Sequence, residues 1–272
     1  MRDITLELCR ENSNFILKPA VYIIGAGPGD PDLLTVKALK ILTRADVILF
    51  ADSLVPVQIL DFCKQDAKII RTANKTLEDI LPVMVEEVRR GKSVVRLHSG
   101  DPSLYSATHE QMQLLAEAEI PFEVIPGISA FQAAAAKLKV ELTVPGLVQT
   151  IILTRISGRT EVPENEELTA LAAHKASLCL YLSARHVENA QAKLLAHYPG
   201  DTPVAICYRL GWNDEKISVV PLTEMAKFTH QEDLIRTTLY VVSPALAENN
   251  YNHGNKRSRL YHPAHSRLFR EE

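Results

Sequence analysis

The chain has 272 residues, of which 46% are hydrophobic and 23% are charged, proportions typical of a globular protein. A formal net charge of −3 gives no support to a nucleic-acid-binding surface, and no apolar run approaches the roughly 20 residues of a membrane helix. The four cysteines are scattered, without a C-x-x-C motif or metal-ligand spacing, so we expect no metal site. Together, the charge, the apolar runs and the cysteines predict a cytoplasmic protein with no nucleic-acid partner and no membrane partner.

Short apolar runs alternate with helical patterns from residue 21 to about residue 138, after an extension of residues 1–19 without clear periodicity. This α/β alternation predicts a mainly parallel, doubly wound sheet. The predicted strands are residues 21–24, 45–50, 67–71, 93–97 and 122–125. Helices are predicted at residues 78–90 and 110–119, and after the first strand along an apolar stripe of Leu34, Ala38, Ile41 and Leu42.

Two turns rich in Gly, Pro and Asp each close a predicted strand: Gly25-Ala-Gly-Pro-Gly-Asp30 and Ser99-Gly-Asp-Pro-Ser103. Glycines at strand ends let the backbone approach a ligand, and open α/β sheets bind ligands at the carboxyl ends of their strands. The first turn is not a dinucleotide fingerprint, because its spacing is G-x-G-x-G and Pro28 lacks a donor amide. A purely structural alternative makes Asp30 the cap of a helix that begins with Pro31.

The segment of residues 140–146 holds two helix and strand breakers, and we place a domain boundary there. The predicted domains are residues 20–142 and 143–247, followed by a basic tail of residues 248–272. In the second α/β domain, strands are predicted near residues 148–154, 177–182, 204–208, 217–220 and 238–242, and helices near 165–174 and 186–198. A hairpin turn at residues 211–216 predicts a mixed sheet in this domain.

Three motifs together resemble one protein family: residues 21–35, His98-Ser-Gly-Asp-Pro-Ser-Leu-Tyr105, and Val124-Ile-Pro-Gly-Ile-Ser-Ala130. They are similar to motifs of the tetrapyrrole methyltransferases of cobalamin and sirohaem synthesis. Within this family, Phe50-Ala-Asp-Ser-Leu54, residues 154–160 and residues 257–263 resemble the branch that methylates carbon 11 of precorrin-4 or cobalt-precorrin-4. The uroporphyrinogen branch usually has Gly-Gly-Asp-Pro-Phe where this chain has Ser99-Gly-Asp-Pro-Ser.

The resemblance implies two α/β domains that bind S-adenosylmethionine in the cleft between them and work as homodimers. It implies cofactor contacts in the first domain from Pro28, Ser99, Gly100, Asp101, Leu104, Ser129 and Ala130. Positional matches in the second half add Leu182, Arg209, Leu210, Thr237 and Thr238. Asp101 either orients the cofactor ribose or its own loop, or it is a capping aspartate.

Methyl transfer from a sulfonium is an in-line displacement that needs alignment and exclusion of water, so we expect no catalytic triad and assign no catalytic residue. A precorrin carries many carboxylates, which arginines bind through paired hydrogen bonds. The predicted substrate contacts are Arg155, Arg159 and Arg185, then Arg209, with His98 and Tyr105 beside the second turn. His98 is either an aid to proton removal or a structural histidine.

Two alternatives stay open at this point. The first is another methyltransferase of the same fold: a neighbouring corrin-ring enzyme, a diphthine synthase or a ribosomal-RNA methylase. The second is a nucleotide-binding regulatory module without catalysis. The sequence also predicts a homodimer, in which the partner covers three apolar residues near a strand end: Leu54, Val55 and Val57. The apolar residues of the tail are predicted to pack on folded protein.

Overall fold

The computed structural model describes residues 16–158 and 160–247, and the contacts between them divide the chain into two compact units. The first unit runs to Ala133 and also includes Arg209–Asp214; the second runs from Ala134 to Tyr208 and resumes at Glu215. The boundary that we placed at residues 142–143 falls in the loop after the helix Ala130–Leu138, which begins in one unit and ends in the other. The predicted tail and most of the N-terminal extension lie outside the described residues.

In chain order, the regular elements of the first unit are β1 (Val21–Gly25), α1 (Val36–Leu42), β2 (Val47–Phe50), β3 (Lys68–Arg71), α2 (Leu77–Arg89), β4 (Val94–His98), α3 (Thr108–Glu117), β5 (Phe122–Ile125) and the start of α4 (Ala130–Leu138). The five strands form one parallel sheet in the order β3-β2-β4-β1-β5. This confirms the predicted doubly wound architecture and all five predicted strands.

Both faces of this sheet are covered, as the near-continuous apolar runs of its central strands require. Ile24 and Phe50 pack with α1 on one face, whereas Ile23 and Leu49 pack with α2 on the other. Helix α1 begins where the Thr35 hydroxyl accepts a hydrogen bond from the Ala38 amide at 3.2 Å, as an N-cap does. Because all five strands are parallel, their carboxyl ends lie at one common edge of the sheet.

The second unit continues with β6 (Ile151–Arg155), α5 (Leu168–Ala172), β7 (Ser177–Tyr181), α6 (Val187–Leu195), β8 (Pro203–Tyr208), β9 (Lys216–Pro221), α7 (Met225–Gln231) and β10 (Thr238–Val242). Its sheet has the order β6-β7-β10-β8-β9, in which β6 and β7 are parallel and the other pairs are antiparallel. The predicted mixed sheet is confirmed. Cys179 and Cys207 are buried in the interior strands β7 and β8, where free cysteines behave as small apolar residues.

Three apolar residues near the end of β2 were predicted to lie where a partner subunit covers them. Leu54 and Val57 are 46% and 44% exposed, but Val55 is only 1% exposed and belongs to the core of the first unit. The prediction for Val55 is therefore wrong, because its side chain packs against the face that carries α1. Within the described stretches, no helix combines the length and the apolar character that crossing a bilayer requires.

Candidate functional site

Three turns follow adjacent strands at one edge of the first sheet. Gly25 ends β1, His98 ends β4 and Ile125 ends β5, and β1 lies between the other two strands. Because parallel strands have their carboxyl ends at the same edge, both glycine-rich motifs and the Pro126–Ala130 turn are brought together there. This edge is where open α/β sheets bind ligands.

The backbones of the three turns are interlocked. Gly27 and Gly100 form an antiparallel bridge, in which the Gly27 amide donates to the Gly100 carbonyl at 3.2 Å and the Gly100 amide donates to the Gly27 carbonyl at 2.7 Å. A Cβ atom on Gly25 would lie only 2.6 Å from the Gly100 carbonyl oxygen and from the Gly127 amide nitrogen. These glycines are therefore required because one backbone packs directly on another.

Asp101 links the second turn to the third. One carboxylate oxygen accepts the Ser103 amide at 2.8 Å and the Ser103 hydroxyl, and the other accepts the Gly127 amide at 2.8 Å. Burial raises the pKa of this carboxyl, but the bonds from Ser103 and Gly127 outweigh that effect and lower the pKa overall. Since these partners occupy both oxygens, the geometry favours a loop-orienting role for Asp101.

One side of the second turn is open. Gly100 has φ of +68°, and a Cβ atom there would meet only the Cα atom of Ser129, at 3.8 Å. Ser99, Leu104 and Ala130 flank this opening in sequence and are partly exposed, whereas Ser129 is buried with its amide donating to the Gln132 side chain at 2.9 Å. The open space beside Gly100 leaves room for a ligand to approach the backbone, as the adenine and ribose of S-adenosylmethionine would require.

The first turn is less open than its sequence indicates. Gly25 to Gly29 and Pro28 between them are buried, and the Asp30 carboxylate caps the short helix Pro31–Leu33 by accepting the Asp32 amide at 2.9 Å. The structural alternative for Asp30 is thus confirmed. Arg209 and Leu210 lie within the first unit, because the loop Arg209–Asp214 packs on this turn.

His98 is buried where β4 ends, with 7% of its surface exposed. Burial, and then the charge of Arg96, lower the pKa of His98 to about 3, while an interaction with Gln111 acts in the opposite direction. A neutral imidazole with so low a pKa is a weak proton acceptor, which argues against proton removal by His98. Tyr105, by contrast, is 42% exposed and has a left-handed φ of 53°.

Arg96 is a candidate that the sequence reasoning missed. Its Nη1 atom donates to the Thr72 hydroxyl at 2.9 Å, while its buried Nε atom has no partner among the described residues. Burial lowers the pKa of the guanidinium to about 10. A charged residue inside the otherwise apolar run of residues 93–97 was the available signal, since strand interiors rarely hold an unpaired cation without a reason.

The candidates of the second unit lie at one end of its sheet. β7 and β8 end, and β10 begins, at the same edge, where Thr238 pairs with Tyr208 and β7 continues into Leu182. Leu182 and Thr237 have φ of 52° and 53°, and Arg209, directly after β8, has φ of 47°. Non-glycine residues with a left-handed backbone store strain and concentrate at functional sites. Positive φ is especially rare for a β-branched residue such as Thr237.

The parallel strand β6 brings Arg155 to this same edge, opposite Tyr181. A Cβ atom on Gly158 would lie 3.3 Å from Nε2 of His186 and 4.0 Å from Nη2 of Arg155, so an imidazole and a guanidinium converge on a glycine. Arg185 is exposed beside them, and in the described ranges neither arginine pairs with a carboxylate. His186 is a further residue that the sequence reasoning missed, and Arg159 lies outside the described residues.

The chain is similar to known proteins along most of its length. The family model described as tetrapyrrole (corrin/porphyrin) methylases matches residues 20–226. The chain is 43% identical to the cobalt-precorrin-4 C(11)-methyltransferase of Methanocaldococcus jannaschii, over 89% of this chain and 92% of the relative. It is 42% identical to the precorrin-4 C(11)-methyltransferase of Pseudomonas aeruginosa, over 92% of this chain and 98% of the relative.

A solved structure, the X-ray structure of a cobalt precorrin-4 methyltransferase of cobalamin biosynthesis, has a TM-score of 0.81 with this chain at 42% identity. The match covers 84% of this chain and 96% of that one. The family match and the fold similarity thus both extend over most of the chain. The chain belongs to the tetrapyrrole (corrin/porphyrin) methylase family.

Proposed function

We propose that this protein transfers a methyl group from S-adenosylmethionine to ring carbon 11 of precorrin-4 or cobalt-precorrin-4, in cobalamin biosynthesis. The observation that carries the proposal is identity above 40%, over about nine-tenths of the chain, with enzymes named for that reaction. Such relatives include both the cobalt-containing and the cobalt-free substrate in their names, so the proposal covers both.

S-adenosylmethionine supplies an activated methyl group on its sulfonium when it is bound. The open side of Gly100, with Ser99, Leu104, Ser129 and Ala130 around it, fits the approach of such a cofactor to backbone. Asp101 holds this turn against Gly127, and Pro28 lies in the turn that Gly100 bridges. We assign Leu182, Arg209, Leu210, Thr237 and Thr238 as further cofactor contacts, supported by the strained backbone at three of them.

Arg155 and Arg185 are the proposed contacts for substrate carboxylates, with the His186 imidazole facing Arg155 across Gly158. Carboxylates pair with guanidinium groups through charge-assisted hydrogen bonds, and these arginines have no such partner in the described part of the protein. Gly158 leaves space between Arg155 and His186, because any side chain there would contact both. We place Arg159 in the same role from its position in the loop.

Positioning is the main contribution of the chain itself to the reaction. Holding two reactants in line replaces an encounter in solution by a step within one complex. The low pKa of His98 argues against an imidazolium at the site, and we propose that His98 orients the second turn through its place at the end of β4. Tyr105, exposed seven residues further on, stays a predicted substrate contact.

The test is incubation of the purified protein with S-adenosylmethionine labelled in its methyl group. Precorrin-4, cobalt-precorrin-4 and uroporphyrinogen III are offered in separate reactions. We expect label to enter one or both precorrin-4 substrates and not uroporphyrinogen III. Label in uroporphyrinogen III alone would assign the protein to another branch of the family, and S-adenosylmethionine that binds nowhere on the protein would refute the cofactor assignment.

A further inference from the structure

The loop Arg209–Asp214, which joins β8 to β9, packs on the first glycine-rich turn. A Cβ atom on Gly29 would overlap the Leu210 carbonyl oxygen and would lie 2.8 Å from the indole nitrogen of Trp212. In the other direction, a Cβ atom on Gly211 would overlap the amide nitrogen of Asp30. Two glycines nearly two hundred residues apart are therefore needed for one close backbone contact.

The loop is also braced internally. The guanidinium carbon of Arg209 lies 4.1 Å from the centre of the Trp212 ring, and Arg209 forms an ion pair of 2.9 Å with Asp214. The Trp212 amide donates to the Arg209 carbonyl at 3.0 Å, which closes the turn around Gly211. Arg209 has φ of 47° and Gly211 has φ of 79°, so this compact shape needs the stacking and the ion pair to offset backbone strain.

Gly29 and Gly100 thus serve opposite purposes. Space beside Gly100 is open, whereas space beside Gly29 is filled by Leu210 and Trp212. The third glycine of the Gly25-Ala-Gly-Pro-Gly29 motif admits the loop and not a ligand. The loop therefore holds in place the turn whose Gly27 forms the backbone bridge to Gly100.

We propose that Trp212 and Gly211 are positioning residues for the cofactor site: by docking the loop on the first turn, they pre-organise the turns that bind S-adenosylmethionine. This inference rests on the proposed function, since it assumes the cofactor. Gly211 and Trp212 are not among the assigned cofactor contacts, but they hold the loop that carries two of them, Arg209 and Leu210. A docked loop lowers the ordering cost that binding would otherwise include, so undocking it weakens affinity although neither substituted side chain touches the cofactor.

A matched pair of glycine substitutions tests the proposal. Gly91, after α2, has the same φ of 79° as Gly211, but a Cβ atom there meets nothing within 4 Å. Gly91→Ala therefore carries the same backbone strain without blocking the loop. We expect Gly211→Ala to weaken binding of S-adenosylhomocysteine, measured by calorimetry, by about tenfold or more, and Gly91→Ala to change it by less than about twofold.

A second pair covers the case in which Gly211→Ala fails to fold, as checked by circular dichroism. The indole nitrogen of Trp212 is buried without a partner in the described region, so Trp212→Phe keeps the stacking face and removes no hydrogen bond. We expect Trp212→Phe to bind nearly as the unmodified protein does and Trp212→Ala to bind about tenfold more weakly. Trp212 is the only tryptophan, so its fluorescence should change when S-adenosylhomocysteine is added to the unmodified protein.

The outcomes separate the two claims. If the unmodified protein binds and the folded Gly211→Ala and Trp212→Ala variants bind equally well, the positioning role is wrong and the proposed function stands. Equal losses in Trp212→Phe and Trp212→Ala would also refute the stacking argument. If the unmodified protein does not bind S-adenosylhomocysteine, both the proposed function and the positioning role are wrong.

Discussion

Strand β4 carries two ionisable side chains, Arg96 and His98, into the interior of the first unit. Burial lowers the pKa of both groups, and the charge of Arg96 lowers the pKa of His98 further. A core that tolerates them must keep one neutral, and His98 is the group that gives up its proton. The end of β4 therefore enters the second turn without a formal charge on its last residue.

His98 predicts a specific dependence of stability on pH. Its pKa is about 3 in the folded protein against 6.5 ordinarily, so protonation favours the unfolded chain. The contribution of His98 to the free energy of unfolding is fully present above about pH 6.5. It falls by up to about 1.4 kcal/mol per pH unit as the pH drops toward the pKa of the folded protein. Urea unfolding between about pH 6.5 and pH 4.5 should show this slope, and His98→Gln should reduce it. An unchanged slope in the variant would contradict the buried neutral state.

Arg155 predicts a loss of substrate binding without a loss of cofactor binding. Removing one charged hydrogen bond costs about 1.5–3 kcal/mol, so Arg155→Ala should raise KM for the tetrapyrrole roughly ten- to a hundredfold. Affinity for S-adenosylhomocysteine should stay close to that of the unmodified protein. Arg90→Ala, at the end of α2 and paired with Glu86, is the control that removes an exposed cation elsewhere. Equal KM values in the two variants would place Arg155 outside the substrate site.

At the scale of elements, Asp101 is the connection between two turns. Asp101→Ala leaves the Gly127 and Ser103 amides without their acceptor, and we expect a loss of about 1–3 kcal/mol in the free energy of unfolding together with weaker cofactor binding. Asp79→Ala, which removes the cap that accepts the Thr76 amide on α2, is the control that costs stability but leaves the turns intact. Unaltered cofactor affinity in Asp101→Ala would refute its loop-orienting role.

Elements with a strong local pattern could be predicted from the sequence, and the others could not. β5 and β10 have the predicted bounds, because apolar runs between breakers mark them. Helix α7 was not predicted, since two of its three buried residues are Ala226 and Thr229, which do not form a distinct apolar stripe. Helix α4 was not predicted either, because its alanine-rich sequence lacks a distinct polar face.

The residues of the candidate site also divide into those that the sequence could predict and those that it could not. Glycines marked the turns, so Gly100 and its neighbours could be predicted as a group. The left-handed backbone of Leu182 and Thr237 could not, because these residue types carry no local signal for positive φ. The docking of Trp212 on Gly29 could not be predicted either, because it joins segments far apart in sequence. The close fit depends on the path of the backbone in the folded protein, which no local pattern reveals.

For the whole molecule, the sequence predicts a homodimer, and this remains a prediction. Leu54 and Val57 are exposed apolar residues on the first unit that a second copy would cover. Sedimentation at micromolar concentration should give about twice the chain mass of 30.3 kDa. Replacing both residues with serine should shift the protein toward the monomer, and a monomeric unmodified protein would contradict the prediction.

The proposed activity is methylation of one defined ring position. The most direct measurement uses S-adenosylmethionine with an isotopically labelled methyl carbon, precorrin-4 or cobalt-precorrin-4 as acceptor, and nuclear magnetic resonance of the purified product. The account predicts a single labelled methyl group, bonded to ring carbon 11, and no product without enzyme. A labelled methyl group on any other ring carbon, or on nitrogen or oxygen, would contradict it.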